Sequence, residues 1–177
     1  MVTLKADRLT LREFTRDDFN TVHYYASDPE VVKYMTWGPN TRDETRRFIE
    51  KNIQSQIVKP RTSYDLAITF DDDLIGGCGL IIHSLSDGRA ELGYCIRRDD
   101  WGKGIGTMVA ATLIEFGFKE LGLHRIEAKC DPENHASYRI MEKNGMQREG
   151  VLREEKNIHG ERRDSYIYSI LRHEWSQ

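Results

Sequence analysis

Three glycines within five positions, Gly102, Gly104 and Gly106, stand in "RRDDWGKGIGTMVAATLIEFGFKEL" at the mouth of an amphipathic helix. Glycines without side chains let backbone N–H groups close around an anion, and a helix starting near Ile105 points its positive end at that anion. The stretch is not a nucleoside-triphosphate loop. That motif needs Gly-x4-Gly-Lys-Ser/Thr, whereas Lys103 is followed by Gly104. A dinucleotide fingerprint fails as well, because its third glycine would fall at 107, which is Thr107, and no strand-ending acid follows at the expected distance. The surviving alternatives are a site for a phosphorylated group and a tight strand-to-helix turn that uses glycine only for its conformation.

Other chemistry-bearing residues point less far. Cys78, Cys95 and Cys130 are odd in number, widely spaced and set in apolar, strand-like segments, so they read as buried thiols, not as disulfides or a metal site. The histidines His23, His83, His124, His135, His159 and His173 never fall at the i, i+4 spacing of a helical zinc site, and no metal is expected. Asn134 reads as the N-cap of a short helix, with Ser137 at its third position.

The elements that must position these residues follow from periodicity. "RLTLREF" alternates as a strand with Leu9 and Leu11 on one face. A helix follows, with Asp17 and Asp18 in its first turn and an apolar stripe of Phe19, Val22 and Ala26, and "SDPE" is expected to end it. Thr41 and Glu44 form a capping box that starts the next helix near Arg42. "SYDLAITF" and "LIGGCGLIIH" flank an acidic turn as a hairpin, and "AELGYCI" is the next strand. The glycine loop leads into a helix running to about Glu120, with Gly122 at its C-cap. "HRIEAKC" is a strand, Asn134 opens a helix through Lys143, and two strands joined at "HG" close the chain as a hairpin. At 177 residues, with no repeat or linker, residues 1–177 are expected to form one domain. Hydrophobic residues at 38% and a net charge of −3 describe a soluble globular chain with no nucleic-acid footprint. No apolar run approaches a membrane span and the start lacks a secretory leader, so a cytoplasmic location is expected.

Taken together, "AELGYCIRRDDWGKGIGT" and, some thirty residues later, "NHASYRIMEKNGM" resemble the coenzyme A loop and following helix of the GNAT superfamily of N-acetyltransferases. The opening "LTLRE", "DPEVVKYM", the "WGP" turn and the closing "HGERRDSYIYSIL" resemble the Rim-type ribosomal-protein N-terminal acetyltransferases. The resemblance implies an α/β (α+β) GNAT fold: one mostly antiparallel sheet of about seven strands flanked by about four helices. It also implies a splay between Glu91–Ile96 and Ile126–Cys130 into which pantetheine inserts like an extra strand. The implied activity is acetyl transfer from acetyl-CoA to a primary amine, most readily a protein N-terminus. A polyamine or aminoglycoside-type amine is the alternative, and a non-catalytic acyl-CoA sensor the second. A homodimer is compatible with the resemblance.

The residue roles carried over are these. Coenzyme A is expected on Cys95, Ile96 and Arg97, on the loop Gly102, Lys103, Gly104, Ile105, Gly106 and Thr107, and at Asn134. A backbone N–H at or near Cys95 would polarise the thioester carbonyl. Glu91 ranks first as the base that deprotonates the amine, against a solvated glutamate or a partner of Arg89. Rim-type enzymes carry an acid near position 156, here Lys156. On a regular strand Glu154, not Glu155, shares its face, so Glu154 ranks second. The tyrosine that many members place seven residues after the asparagine is Met141 here, which leaves Ser137 as donor to the departing thiolate. Asp99 replaces the Gln or Arg usual before the loop. Trp101 is expected to pack under the loop, and Tyr34, Met35 and Trp37 to lie by the acceptor cleft.

Overall fold

Residues 2–176 are described by the structure, a computed structural model. The chain opens with β1 (Thr3–Ala6) and β2 (Leu9–Glu13), then α1 (Phe19–Ala26), α2 (Pro29–Val32) and α3 (Arg42–Ser55). Next come β3 (Ser63–Phe70), β4 (Asp73–Ser84), β5 (Arg89–Ile96) and α4 (Ile105–Lys119). The chain closes with β6 (Arg125–Cys130), α5 (His135–Lys143), β7 (Gln147–Ile158) and β8 (Glu161–Leu171). The eight strands form one sheet in the order β1-β2-β3-β4-β5-β6-β8-β7. Every pairing is antiparallel except β5 with β6.

Two details correct the sequence reading. Among the described residues the sheet has eight strands rather than about seven, because "TLKA" pairs with β2: its four residues alternate, with Leu4 and Ala6 half-buried, but the run is too short to stand out. There are five helices rather than about four. "SDPE" does not simply end α1: Asp28 Oδ1 accepts from Glu30 N at 2.9 Å and caps α2, with Pro29 at its first position. The Thr41–Glu44 capping box starts α3 at Arg42 as expected.

Each face of the sheet carries its own core. On one face α4 packs Ile105, Val109, Leu113 and Ile114 against Leu80, Ala90, Leu92 and Ile126. Each such side chain contributes on the order of 1.5–3 kcal/mol by leaving water. On the other face α1 and α3 supply Val22, Tyr25 and Ile49 against Phe14, Ala67 and Cys95. Strand β5 lies between the two cores: Leu92 and Tyr94 face α4 and α5, while Cys95 faces α1 and α3.

The parallel β5–β6 pairing is short. It runs only from Arg89↔Arg125 to Glu91↔Glu127, while β6 stays paired with β8 as far as Cys130↔Tyr166. Beyond Glu91, β5 has no strand partner on that side among the described residues, which is the splay expected between Glu91–Ile96 and Ile126–Cys130.

Candidate active site

The glycine loop leads from the open end of β5 into α4. Gly102 and Gly104 adopt left-handed φ of +76° and +77°, and a Cβ on either would meet nothing within 4 Å. Gly104 is the N-cap of α4 and has no side chain to cap with, and the first turn holds no acidic residue. The first turn's bonds begin at Thr107 N and Met108 N, both to Gly104 O. Among the described residues, the N–H groups of Gly102 to Gly106 have no hydrogen-bond acceptor. Consecutive free donors at a helix N-terminus whose first turn carries no acidic residue are a fit for a diphosphate.

The residues around the loop hold it in place. Asp100 is buried and pairs with the Arg97 guanidinium and with Lys103 Nζ at 2.7 Å. Burial pushes its carboxyl up, but those two cations outweigh it and leave its pKa below the ordinary value. Arg97 also reaches Asp73 at 2.6 Å, and its N–H donates to Ile75 O at 2.8 Å. The Arg97 and Lys103 side chains are thus scaffold for the loop. Trp101 does not pack beneath it: the ring is half exposed and Nε1 donates to Ile96 O at 2.7 Å. Asp99 accepts from Tyr24 Oη at 3.1 Å.

Strand alternation narrows one expectation. Arg97 donates to Ile75 of β4, and Gly77 is the register partner of Cys95. Backbone groups two residues apart on a strand point the same way, so the Cys95 N–H faces β4. The N–H groups of Tyr94 and Ile96 face the splay instead. The Cys95 thiol is buried on the cleft side, and burial pushes its pKa up to about 12.

A cleft of about 640 Å³ opens on the α1/α3 side of β5. Glu91 and Gly93 lie along its β5 wall, Asp65 and Gly79 on the strands beside it, and Phe48 and Trp37 on the helical side. Asp65, Gly79 and Gly93 are register partners across β3, β4 and β5. Nothing lies within 4 Å of where a Gly93 Cβ would stand, so the strand is bare beside the splay. Met35 and Trp37 do lie at this cleft.

Glu91 projects from β5 on the cleft face. Its Oε2 lies 3.3 Å from His83 Nε2 and 3.5 Å from Lys129 Nζ. Among the described residues Oε1 has no partner. Arg89, weighed as its partner, is not one of these contacts. Lys129 also holds Glu155 Oε1 at 2.7 Å. Burial works against the Lys129 ammonium, but Glu155 and Glu91 outweigh it and raise its pKa. The His83, Glu91 and Glu127 ligand atoms lie within 4.8 Å of one another, a convergence that histidine spacing along the chain does not reveal. Lys129 on Glu91 and Arg125 on Glu127, at 3.3 Å, already supply the opposing charge.

The regular strand assumed for Glu154 is not found. Leu152 pairs with Ser165 and Lys156 with Arg163, so four steps on β7 face two on β8. Glu154 sits in this bulge at φ +51°, exposed, with its N–H on Asp164 Oδ1 at 2.8 Å. The bulge turns Glu155 rather than Glu154 toward Lys129, and hence toward Glu91.

On the opposite face of β5, Asn134 Oδ1 accepts from Ser137 N at 3.2 Å and caps α5. Tyr94 Oη lies 3.1 Å from both Ser137 Oγ and Ser137 O. Burial drives the Tyr94 phenol well above its ordinary pKa, against the pull of the Ser137 hydroxyl, so it stays protonated. Tyr94 was missed in the sequence, although strand alternation from Glu91 places it on the α5 side. Burial also pushes the Cys130 thiol up to about 11. Met141 is buried in the core, so a tyrosine at that position would have to displace packed neighbours.

Residues 8–147 match the family described as the acetyltransferase (GNAT) domain. The chain belongs to the GNAT acetyltransferase family. The N-acetyltransferase is 36% identical to the uncharacterized N-acetyltransferase p20 of Bacillus licheniformis, over 99% of both chains. It superposes with a TM-score of 0.87 on a GNAT-family acetyltransferase from Bacillus anthracis, 34% identical, covering 97% of this chain and 99% of that one. A spermidine N-acetyltransferase from Vibrio cholerae, solved with CoA and spermine, is 25% identical with a TM-score of 0.83, covering 96% and 98%. The protein is thus an acetyl-CoA-dependent N-acetyltransferase with the α+β GNAT fold, not a binding module alone. No helix among the described residues is long and apolar enough to cross a membrane.

Proposed function

We propose that the enzyme moves the acetyl group of acetyl-CoA directly to a primary amine held in the cleft, with a protein N-terminus as the preferred acceptor. The diphosphate of the donor rests on the free N–H groups of Gly102 to Gly106, and pantetheine follows the open edge of β5. The N–H of Tyr94 or Ile96 polarises the thioester carbonyl, a contact worth about 3 kcal/mol where such donors have been removed. Glu91 takes the amine proton on Oε1, and Ser137 protonates the departing thiolate. The carrying observation is Glu91 on the cleft face, one oxygen unpartnered, two residues from the bare strand at Gly93.

The acceptor reading rests on the cleft walls. Phe14, Phe48, Trp37 and Met35 make them largely apolar and aromatic, which suits an amine attached to a small apolar body. A second reading, a polyamine, is favoured by Asp65. Its carboxylate lines the cleft two strands from Gly93, roughly 10 Å away at the usual strand spacing, where a second ammonium could bind.

The test is acetyl-CoA with N-terminal peptides, spermidine and aminoglycosides, followed by mass spectrometry of the acceptor. Glu91→Gln should lower turnover by about 10² or more while leaving CoA affinity intact. Asp65→Asn should raise KM for spermidine only. Parent turnover in Glu91→Gln removes the base, and acetylated spermidine without acetylated peptide replaces the first acceptor by the second.

A further inference from the structure

We propose that His83 carries the amine proton from Glu91 to solvent, so that the site works through a Glu91–His83 relay rather than through a lone carboxylate. The inference rests on Glu91 being the base. His83 Nε2 lies 3.3 Å from Glu91 Oε2, and the His83 side chain is 38% exposed, so the ring touches the carboxylate on one side and water on the other. Its position is built by the strand. Ile81 is the register partner of Glu91, and the β4–β5 pairing slips between Ile82 and Ser84, leaving His83 as the extra residue of a bulge. Bulges of this kind re-aim a side chain. His83, which shares the face of Ile81 and Glu91, is turned onto the carboxylate instead of standing opposite a partner.

The surrounding charges leave His83 as the outlet. Lys129 from β6 contacts the same Oε2 at 3.5 Å, but it is paired with Glu155 of β7 and remains an ammonium, unable to accept a proton. Glu127 from β6 is held by Arg125, which is itself paired with Glu149 of β7. Asp65 of β3 and Glu44 of α3 face the cleft farther along its wall. A carboxylate is a weak base for an ammonium, so passing the proton on to an imidazole, which ordinarily titrates between pH 5 and 8, keeps Glu91 ready for the next turnover. The balance requires His83 to rest with its proton on Nδ1: the attacking nitrogen loses one proton to the Glu91 carboxylate, the carboxyl so formed gives that same proton to His83 Nε2, the imidazolium releases the Nδ1 proton to water, and exchange with water returns the ring to its first tautomer.

The test measures thiol release against pH with acetyl-CoA and two probes, an alanine N-terminal tetrapeptide and spermidine. His83→Gln keeps a hydrogen-bonding group beside Glu91 but cannot titrate, so a packing role would survive it. The relay predicts that kcat falls about tenfold near pH 7, KM for acetyl-CoA holds, and the acid limb of the profile that belongs to the imidazole disappears. Added imidazole should restore His83→Ala and leave Glu91→Gln impaired. A parent-like kcat and pH profile in His83→Gln overturns the relay while an impaired Glu91→Gln keeps the base. Parent turnover in Glu91→Gln overturns both.

Discussion

Replacing Gly104 with alanine isolates the contribution of the loop backbone to coenzyme A binding. At φ +77° an L-residue is strained by about 1–2 kcal/mol, and since nothing lies within 4 Å of the new Cβ, strain is the whole effect within the free chain. Gly104 has no capping side chain to hold it there, so an alanine loop relaxes toward negative φ and turns its N–H groups away from the anion. Binding must then restore the left-handed turn. At 1.4 kcal/mol per factor of ten, CoA affinity should fall about five- to thirtyfold. Gly122→Ala is the control: it too is left-handed, at φ +64°, with open space around its Cβ, but it follows the far end of α4. Gly122→Ala, where the strain stays in the fold, should lose a few degrees of Tm, roughly 2–4 °C per kcal/mol for a chain of this size, and Gly104→Ala, relaxed in the free chain, should lose less. Calorimetric titration of CoA reads the difference. A Gly104→Ala affinity within twofold of the parent, or an equal loss in Gly122→Ala, would falsify the placement of the anion on this loop.

Ser137→Ala should lower kcat by about 10² at most, since a thiolate leaves readily, and Tyr94→Phe should lower it less, because Tyr94 orients the Ser137 hydroxyl without giving up its own proton. Single-turnover kinetics with unchanged acetyl-CoA affinity check both, and equal rates in Ser137→Ala and parent would assign the proton to water. Acid stability should depend on Glu149, whose carboxyl Arg125 and Ser169 hold down at about 2 against an ordinary 4.5. A depressed folded-state pKa contributes stability that is complete above the unfolded value and fades as pH falls from about 4.5 toward 2. Thermal melts across that window should flatten in Glu149→Gln, and parallel parent and variant curves would remove the group from the acid transition.

The loop, the helix it opens and the splayed strand were legible because glycine conformation, capping and period are local properties of the chain. Gly102 to Thr107, Asn134 and Ser137 stand where their spacing placed them, and α3 begins at its capping box. What escaped depended on pairing. The slip at β7 turns Glu155 toward Lys129 and leaves Glu154 exposed, a reversal that rests on how β7 meets β8 and has no mark in "VLREEKNI". His83 in "LIIHS" sits on the face of Ile81, but its contact with Glu91 requires the second bulge. Strand β1 escaped for a simpler reason, since an edge strand of four residues with only Leu4 and Ala6 half-buried is too short for its period to stand out.

The chemistry depends on one strand serving three directions at once. Odd residues of β5 from Glu91 to Cys95 send side chains into the cleft and backbone groups to β4, while even residues send side chains toward α4 and α5 and backbone groups into the splay. The proposed base, the proposed carbonyl donor and the partner of Ser137 are therefore set by a single register. A slip of one residue would drive Glu91 into the apolar face beneath α4, turn Tyr94 into the cleft and exchange which N–H groups meet the splay. The apolar cost of that slip, with Ala90 and Leu92 leaving a core in which both are buried, is what fixes the register, so the packing of α4 holds the catalytic geometry as firmly as any polar contact in the site.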